Sequence, residues 1–413
     1  MNTIPTTRSN FSYLFSAPVI VAALGYFVDI YDLLLFGIVR IPSLVSLGLS
    51  EEAISVVGAS ILNWQMTGLL LGGILWGVLG DKKGRLSVLF GSIVTYSLAN
   101  IACGFVQDPT TYKVLRFIAG VGLAGELGAG ITLVSEILPK ELRAIGTSLV
   151  AGIGLLGAVV AYFTVEFFDW RYAYFIGGGL GIMLLLLRVG VFESGIFEDV
   201  KHLKHVQKGN FFALFTNRDR LVRYLRCIGI GLPTWFVIGI LSTFSNEFGR
   251  ALGITEAVRP GLSIMWCYVG LSIGDLSSGF LSHWLESRKK AVLYLMLFTL
   301  LVSLVYLYAG IDSAGHLYFI SALLGFGIGY WAMFVTIGAE QFGTNLRATA
   351  ATTIPNMVRG TVVLMTTLYG TFKGSFSVID SGALVGVICF AIGIYCILTI
   401  AETHGRDLDF LEE

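Results

Sequence analysis

Residues 116–147 read RFIAGVGLAGELGAGITLVSEILPKELRAIGT. The first two-thirds of this stretch are apolar and long enough to cross a bilayer. They are also rich in glycine: Gly120, Gly122, Gly125, Gly128 and Gly130. Two charges, Arg116 and Glu126, lie inside the apolar run. A charge at bilayer depth costs about 3 kcal/mol on insertion scales, so such a residue faces a partner or a water-filled cavity. Glu136 and then PKELR close the stretch as a polar stop. The stretch therefore reads as a membrane-crossing helix that packs closely and carries two charges needing partners elsewhere in the chain.

The whole composition agrees. The chain has 413 residues, 55% hydrophobic and 13% charged, against a usual charged fraction of about 25%. A soluble core could not hide so much apolar surface, so the fold class is all-α and integral to the membrane. Zero net charge suggests no nucleic-acid partner. The five cysteines have no CxxC spacing and suggest neither disulfides nor zinc. No histidine pair has metal-ligand spacing, and no GxxxxGK[ST] loop for a nucleotide is present, so no cofactor is expected. The first apolar segment is a full span rather than a short cleavable leader.

Twelve apolar segments of about 20 residues or more follow one another: 13–39, 54–79, 87–106, 110–136, 143–165, 172–192, 224–246, 260–284, 291–310, 316–341, 347–373 and 381–401. The longest polar interval, 193–223, divides them into a bundle over 1–192 and a bundle with a tail over 224–413. With the N-terminus inside, inner loops outnumber outer ones in Lys and Arg by roughly three to one, which predicts cytoplasmic N- and C-termini. Arg40, Lys113, Arg171, Arg250, Arg259 and Lys373 then lie at the outer side, and Arg188 snorkels at an inner end. The halves repeat. SEILPKELRAIGTSL (135–149) resembles AEQFGTNLRATAATT (339–353), matching Glu136 to Glu340 and Arg143 to Arg347. GVLGDKKGRLSV (77–88) has a degraded copy in GFLSHWLESRKKAV (279–292). Six segments per half keep both copies in the same orientation, a parallel duplication that places a path between the halves near the midplane.

GDKKGR (80–85) joins segments two and three at the inner side. Its glycines permit a tight reversal, and Asp81 and Arg85 can bond neighbouring helix ends. This loop resembles the signature loop of the major facilitator superfamily. The resemblance implies a cytoplasmic gate built from Gly80, Asp81, Gly84 and Arg85, the repeat residues Glu286 and Arg288, and the acid–arginine pairs Glu136/Arg143 and Glu340/Arg347. Arg-xxx-Gly-x-Gly from Arg116 is similar to the segment-four motif of proton-coupled facilitators. Together with GYFVDIYDLLLFG (25–37), FESG after segment six and the tail AETHGRDLDFLE (401–412), it resembles the metabolite–proton symporter branch related to sugar porters. Ala401 and Phe192 replace that branch's prolines.

The remaining candidates are buried polar groups. Asp29 and Asp32 are three apart and share a helix face. Asp32 lies on the order of 10 Å from the outer end, at the depth of Arg116, so an Asp32–Arg116 pair is expected to load and release a proton, with Asp29 deeper. The alternative is a fixed structural pair. Glu126, deeper on segment four, is assigned to proton or substrate, against a structural bridge. Arg359, at the centre of segment eleven in TIPNMVRG, needs a counter-charge from Asp275, Glu126 or a substrate carboxylate, which arginine matches bidentately. Asn63, Trp64 and Gln65, Trp235 beside Pro233, and Tyr330 with Trp331 supply amide and aromatic contacts for a pocket, against ordinary packing. Pro233 is expected to kink segment seven.

The expected function is proton-coupled symport of a small organic acid or zwitterion by alternating access, through a monomer in the lipid bilayer of a bacterial inner membrane. Export of metabolites or drugs, uncoupled facilitation and, last, a non-transporting sensor are the alternatives. No nucleophile–base arrangement suggests an enzyme.

Overall fold

The computed structural model describes residues 15–83, 85–125, 143–193, 211–404 and 412, and among them it is helical without strands. The first half contributes α1 (Ala17–Ser46), α2 (Glu51–Lys83), α3 (Arg85–Cys103), α4 (Pro109–Leu123), α5 (Arg143–Phe167) and α6 (Trp170–Glu193). The second half begins with the short α7 (Ala213–Thr216) and α8 (Arg218–Phe236), which runs on through a π-turn at Val237–Ser242. Then follow α9 (Ser245–Ala251), α10 (Pro260–Trp284), α11 (Arg288–Tyr308), α12 (Ala314–Gly327), α13 (Trp331–Glu340), α14 (Thr344–Gly360), α15 (Val362–Phe372) and α16 (Val378–Thr399). Taken with their continuations these are twelve passes.

Among the described residues three passes are interrupted. Pro233 lies inside α8 four residues before the π-turn, where a missing N–H loosens the ladder. Segment ten breaks at residues 328–330 between α12 and α13, and segment eleven at Thr361 between α14 and α15. Such breaks survive in lipid only where buried protein groups satisfy the freed backbone. At the α12–α13 break, Asp275 Oδ1 accepts from Ala332 N at 3.0 Å and caps α13 from a different helix.

Glycine sets the helix pairing, and the halves use it alike. A Cβ at Gly120 of α4 would collide with the main-chain oxygen of Gln65 on α2; one at Gly270 of α10 would collide with that of Ala322 on α12. The first pair is segments two and four, the second segments eight and ten, so the duplication read in the loops extends to helix contacts. Across the halves, α5 packs on α10 and α2 on α14.

Two boundary expectations are corrected. α1 runs to Ser46 rather than residue 39, because Arg40 is enclosed by protein and does not mark the water boundary. Arg188 is 4% exposed and therefore does not snorkel to an aqueous end.

Candidate functional site

The polar groups collect in three layers. The deepest joins the halves. Arg359 of α14 places Nη2 3.7 Å from Asp29 Oδ2 of α1, with both side chains buried. This corrects the expected partner: Asp275 is committed to the α13 cap, and Glu126 lies outside the described residues. Among the described residues Arg359 is under-used for a buried cation, since its Nε and Nη1 have no hydrogen-bond partner there. Its guanidinium stands 5.9 Å from the centre of the Trp235 ring. Trp235 meets Trp331 edge to face at 6.3 Å, and its indole N–H is also without an acceptor. The Tyr26 hydroxyl stands among Asp29, Arg359 and Asp275 and beside Trp331. Asn356, one helical turn before Arg359, donates to Ala124 O at 2.9 Å and so ties α14 to the end of α4. A buried arginine with spare donors beside one indole, itself backed by a second, is suited to receive an anion carrying an apolar body.

A second layer lies within the first half. Arg116 donates Nη2 to the main-chain oxygen of Asp32 at 3.0 Å, Nη1 to Asn100 Oδ1 at 2.7 Å and Nε to Gln65 Oε1 at 3.3 Å, with the Tyr174 ring 5.4 Å away. The depth match of Asp32 and Arg116 is therefore present, but the expected ion pair is not: among the described residues neither Asp32 carboxylate oxygen has a hydrogen-bond partner. Asn100 has taken the guanidinium instead. Gln65, expected at the substrate, is used on both sides, since its Nε2 donates to Leu33 O at 2.9 Å.

Asn63 accepts from Thr366 of α15 across the halves. Trp64 is 46% exposed and faces outward, so it is no pocket residue. Tyr330 donates to Ile230 O at 3.3 Å and holds the α12–α13 break against α8.

The third layer seals the end expected to be outer. Arg40 Nη2 donates to Thr243 O at 2.8 Å and Asn246 Oδ1 at 3.0 Å. Ser55 donates to Glu247 Oε1 at 2.6 Å, and Lys373 pairs with Glu247 at 2.7 Å. Glu51–Arg250 and Glu166–Arg259 add two further pairs between the halves.

At the opposite end, Glu340 pairs with Arg288, joining two expected gate residues. Glu286 is not among their partners. It is an exposed turn residue with φ of 48°. Glu402 does the expected work there, accepting from the Ser287 hydroxyl and from Arg288 N at 3.2 Å. Glu412 receives Arg223 through two bonds of 2.8 Å. Gly84, Glu126 and Glu136 lie outside the described residues, as do the surroundings of Gly80 and the side chains of Asp81, Arg85 and Arg143. Arg347 lies in the first turn of α14.

Sequence reasoning missed Tyr26, Arg40, Asn100, Glu247, Asn356 and Glu402. Tyr26, Asn356 and Glu402 lie within the segment-one, TIPNMVRG and tail motifs, Asn100 is a lone amide in an apolar segment, and the charge of Arg40 suggests a water boundary.

Broken helices meeting at mid-depth around buried charges, in two glycine-paired halves, define a membrane carrier. The Major Facilitator Superfamily profile matches residues 22–361, and the chain belongs to that superfamily. It is a transporter rather than an enzyme. Its relatives include the niacin transporter NiaP of Acinetobacter baylyi, 29% identical over 69% of this chain and 71% of that one. The gentisate transporter of Corynebacterium glutamicum is 25% identical over 91% and 87%. Among solved structures, the proton:xylose symporter XylE bound to 6-bromo-6-deoxy-D-glucose covers 97% of this chain and 98% of its own, with TM-score 0.70 and 16% identity, a likeness of fold.

Proposed function

We propose that the protein is a secondary transporter of a bacterial inner membrane that carries a small carboxylate together with a proton. The observation that carries the reading is the Asp29–Arg359 pair beside Trp235, with two guanidinium nitrogens unpartnered. A carboxylate matches those donors, and the touching Trp235 and Trp331 rings offer an apolar wall for an aryl or short acyl body. Niacin and gentisate, named for two relatives, are flat aromatic carboxylates, which supports an aromatic acid over a zwitterion.

Asp32 is the proton carrier in this reading. Arg116 already touches its main chain, so a side-chain rotation brings carboxylate to guanidinium after the proton leaves. Coupling then follows from one acid having two states, bonded or not. Arg359 and Asp29, by contrast, connect the halves, so substrate binding bears directly on the interface.

The test is uptake into proteoliposomes under an imposed proton gradient, with radiolabelled benzoate, nicotinate, betaine and xylose. Gradient-driven accumulation of a carboxylate is expected. Asp32→Asn should abolish accumulation while leaving exchange of internal for external substrate. Accumulation surviving in Asp32→Asn would remove its role, and uptake confined to neutral xylose would remove the carboxylate.

A further inference from the structure

Arg40 raises a separate question. It is fully buried, three turns of α1 beyond Asp29. Eleven residues of helix advance about 16 Å and return to within about 20° of the same face. Arg40 and Asp29 are thus stacked along one stripe of α1, the stripe that meets the second half.

Arg40 lines a cavity of about 270 Å³ at the sealed end. The walls are apolar where Ile41, Val45, Leu49 and Ile54 face it. The two acids present are already matched: Glu247 by Lys373 at 2.7 Å, Glu51 by Arg250. Among the described residues no carboxylate lies within ion-pair distance of Arg40, whose guanidinium rests 4.6 Å from the centre of the Phe244 ring. Among the described residues only Nη2 is bonded; Nε and Nη1 have no partner there. A buried cation with unused donors beside an apolar cavity is incompletely satisfied, which native structures seldom tolerate without a use. The cavity lies just under the range of about 300–1,000 Å³ typical for drug-sized ligands, so it suits something smaller.

We infer that this cavity is a second binding position for a small aryl or alkyl monocarboxylate, held by Arg40 before it descends to Arg359. The inference rests on the carboxylate reading above. Arg40 then has two occupants in turn. Thr243 O and Asn246 hold it while the end is sealed. When the halves part, the anion replaces them, and the stripe from Arg40 to Asp29 leads it inward.

The experiment is saturation-transfer NMR on the full chain in lipid nanodiscs, using 4-fluorobenzoate and neutral 4-fluorobenzamide as probes. With Arg359→Ala, which removes the central cation, 4-fluorobenzoate is expected still to receive saturation, and 4-fluorobenzamide not. Adding Arg40→Gln should weaken that residual binding about tenfold or more, the scale of one lost charge-assisted contact; adding Arg40→Lys, which keeps the charge but not the fork, should weaken it less than Arg40→Gln does. Loss of all transfer in Arg359→Ala, with a wild-type chain that binds, overturns the second position and leaves the central one standing. So does residual binding that ignores Arg40→Gln or treats both probes alike. If Arg359→Ala does not fold, Arg40→Gln alone should convert a two-step titration of the wild type into one step, and an unchanged titration overturns the inference. A wild-type chain that binds no 4-fluorobenzoate overturns both readings.

Discussion

Arg359 shows why a buried charge is easier to find than to pair. Its place in an apolar segment was plain in the sequence, and so was its need for a partner. Which group would supply it was not: Asp275, Glu126 and a substrate carboxylate were all open, and Asp29 was assigned to the proton. Helix packing decided: Asp275 was drawn to a cap on α13, leaving Asp29 at 3.7 Å. The chemistry of the site follows from the guanidinium's planar fork, which a point charge does not reproduce. Arg359→Lys is therefore expected to raise the KM for carboxylate uptake about tenfold, and Arg359→Gln to abolish uptake, measured in the same proteoliposomes. An Arg359→Lys variant indistinguishable from wild type would place the substrate elsewhere. The same limit hid Asn100: a neutral amide carries no obligation that hydropathy reveals, yet it occupies the donor that Asp32 was expected to take.

At the scale of elements, the twelve spans were legible because lipid permits few alternatives to apolar helices. Their interruptions were less so. Pro233 announces its own disturbance, whereas the breaks at 328–330 and Thr361 contain no proline and depend on contacts such as Asp275 with Ala332. The tail is similar. Its motif was visible, but not that Glu402 would hold the start of α11. Burial raises the Glu402 carboxyl, while the Ser287 hydroxyl and the N–H groups of His404, Thr403 and Lys289 outweigh it and leave the group below its ordinary value. A carboxyl lowered on folding stabilises the folded form above its unfolded pKa, about 4.3 for glutamate. That stabilisation is lost as pH falls through the lower folded value. Protection of the amides of residues 287–290 from hydrogen exchange, corrected for the intrinsic rate at each pH, should accordingly be high at pH 6 and lower below pH of about 4. Glu402→Gln should show the low protection at both. Equal protection in the variant at pH 6 would mean that the tail is held by other contacts.

For the whole molecule, the sealed end is a polar closure laid over a path between two halves. The parallel duplication predicted that path, but the closure joins residues that do not correspond between the halves, so no repeat could reveal it. Glu247 is its centre, receiving Ser55 from the first half and Lys373 and Tyr369 from the second. Glu247→Gln removes the ion pair and should shift the population towards opening at this end. Asn63→Cys lies beneath the closure, and the five native cysteines are buried. An impermeant thiol reagent is therefore expected to label Asn63→Cys several-fold faster when Glu247→Gln is added, about tenfold for each 1.4 kcal/mol of shift. Unchanged labelling would show that apolar contacts between α5 and α10 hold the end closed by themselves.

α1 has 30 residues and α2 has 33, which makes them about 45 and 50 Å long. A hydrocarbon layer is about 30 Å thick. Such rods lean or protrude, and the lean changes whenever the halves rock. The surrounding lipid is then strained differently in each state, at a modest cost per ångström of mismatch. Turnover should therefore depend on acyl-chain length at constant substrate and proton gradient, with an optimum displaced from the length that maximises thermal stability. Bilayer thickness becomes a control that acts on the carrier through geometry alone, without a ligand or a charge.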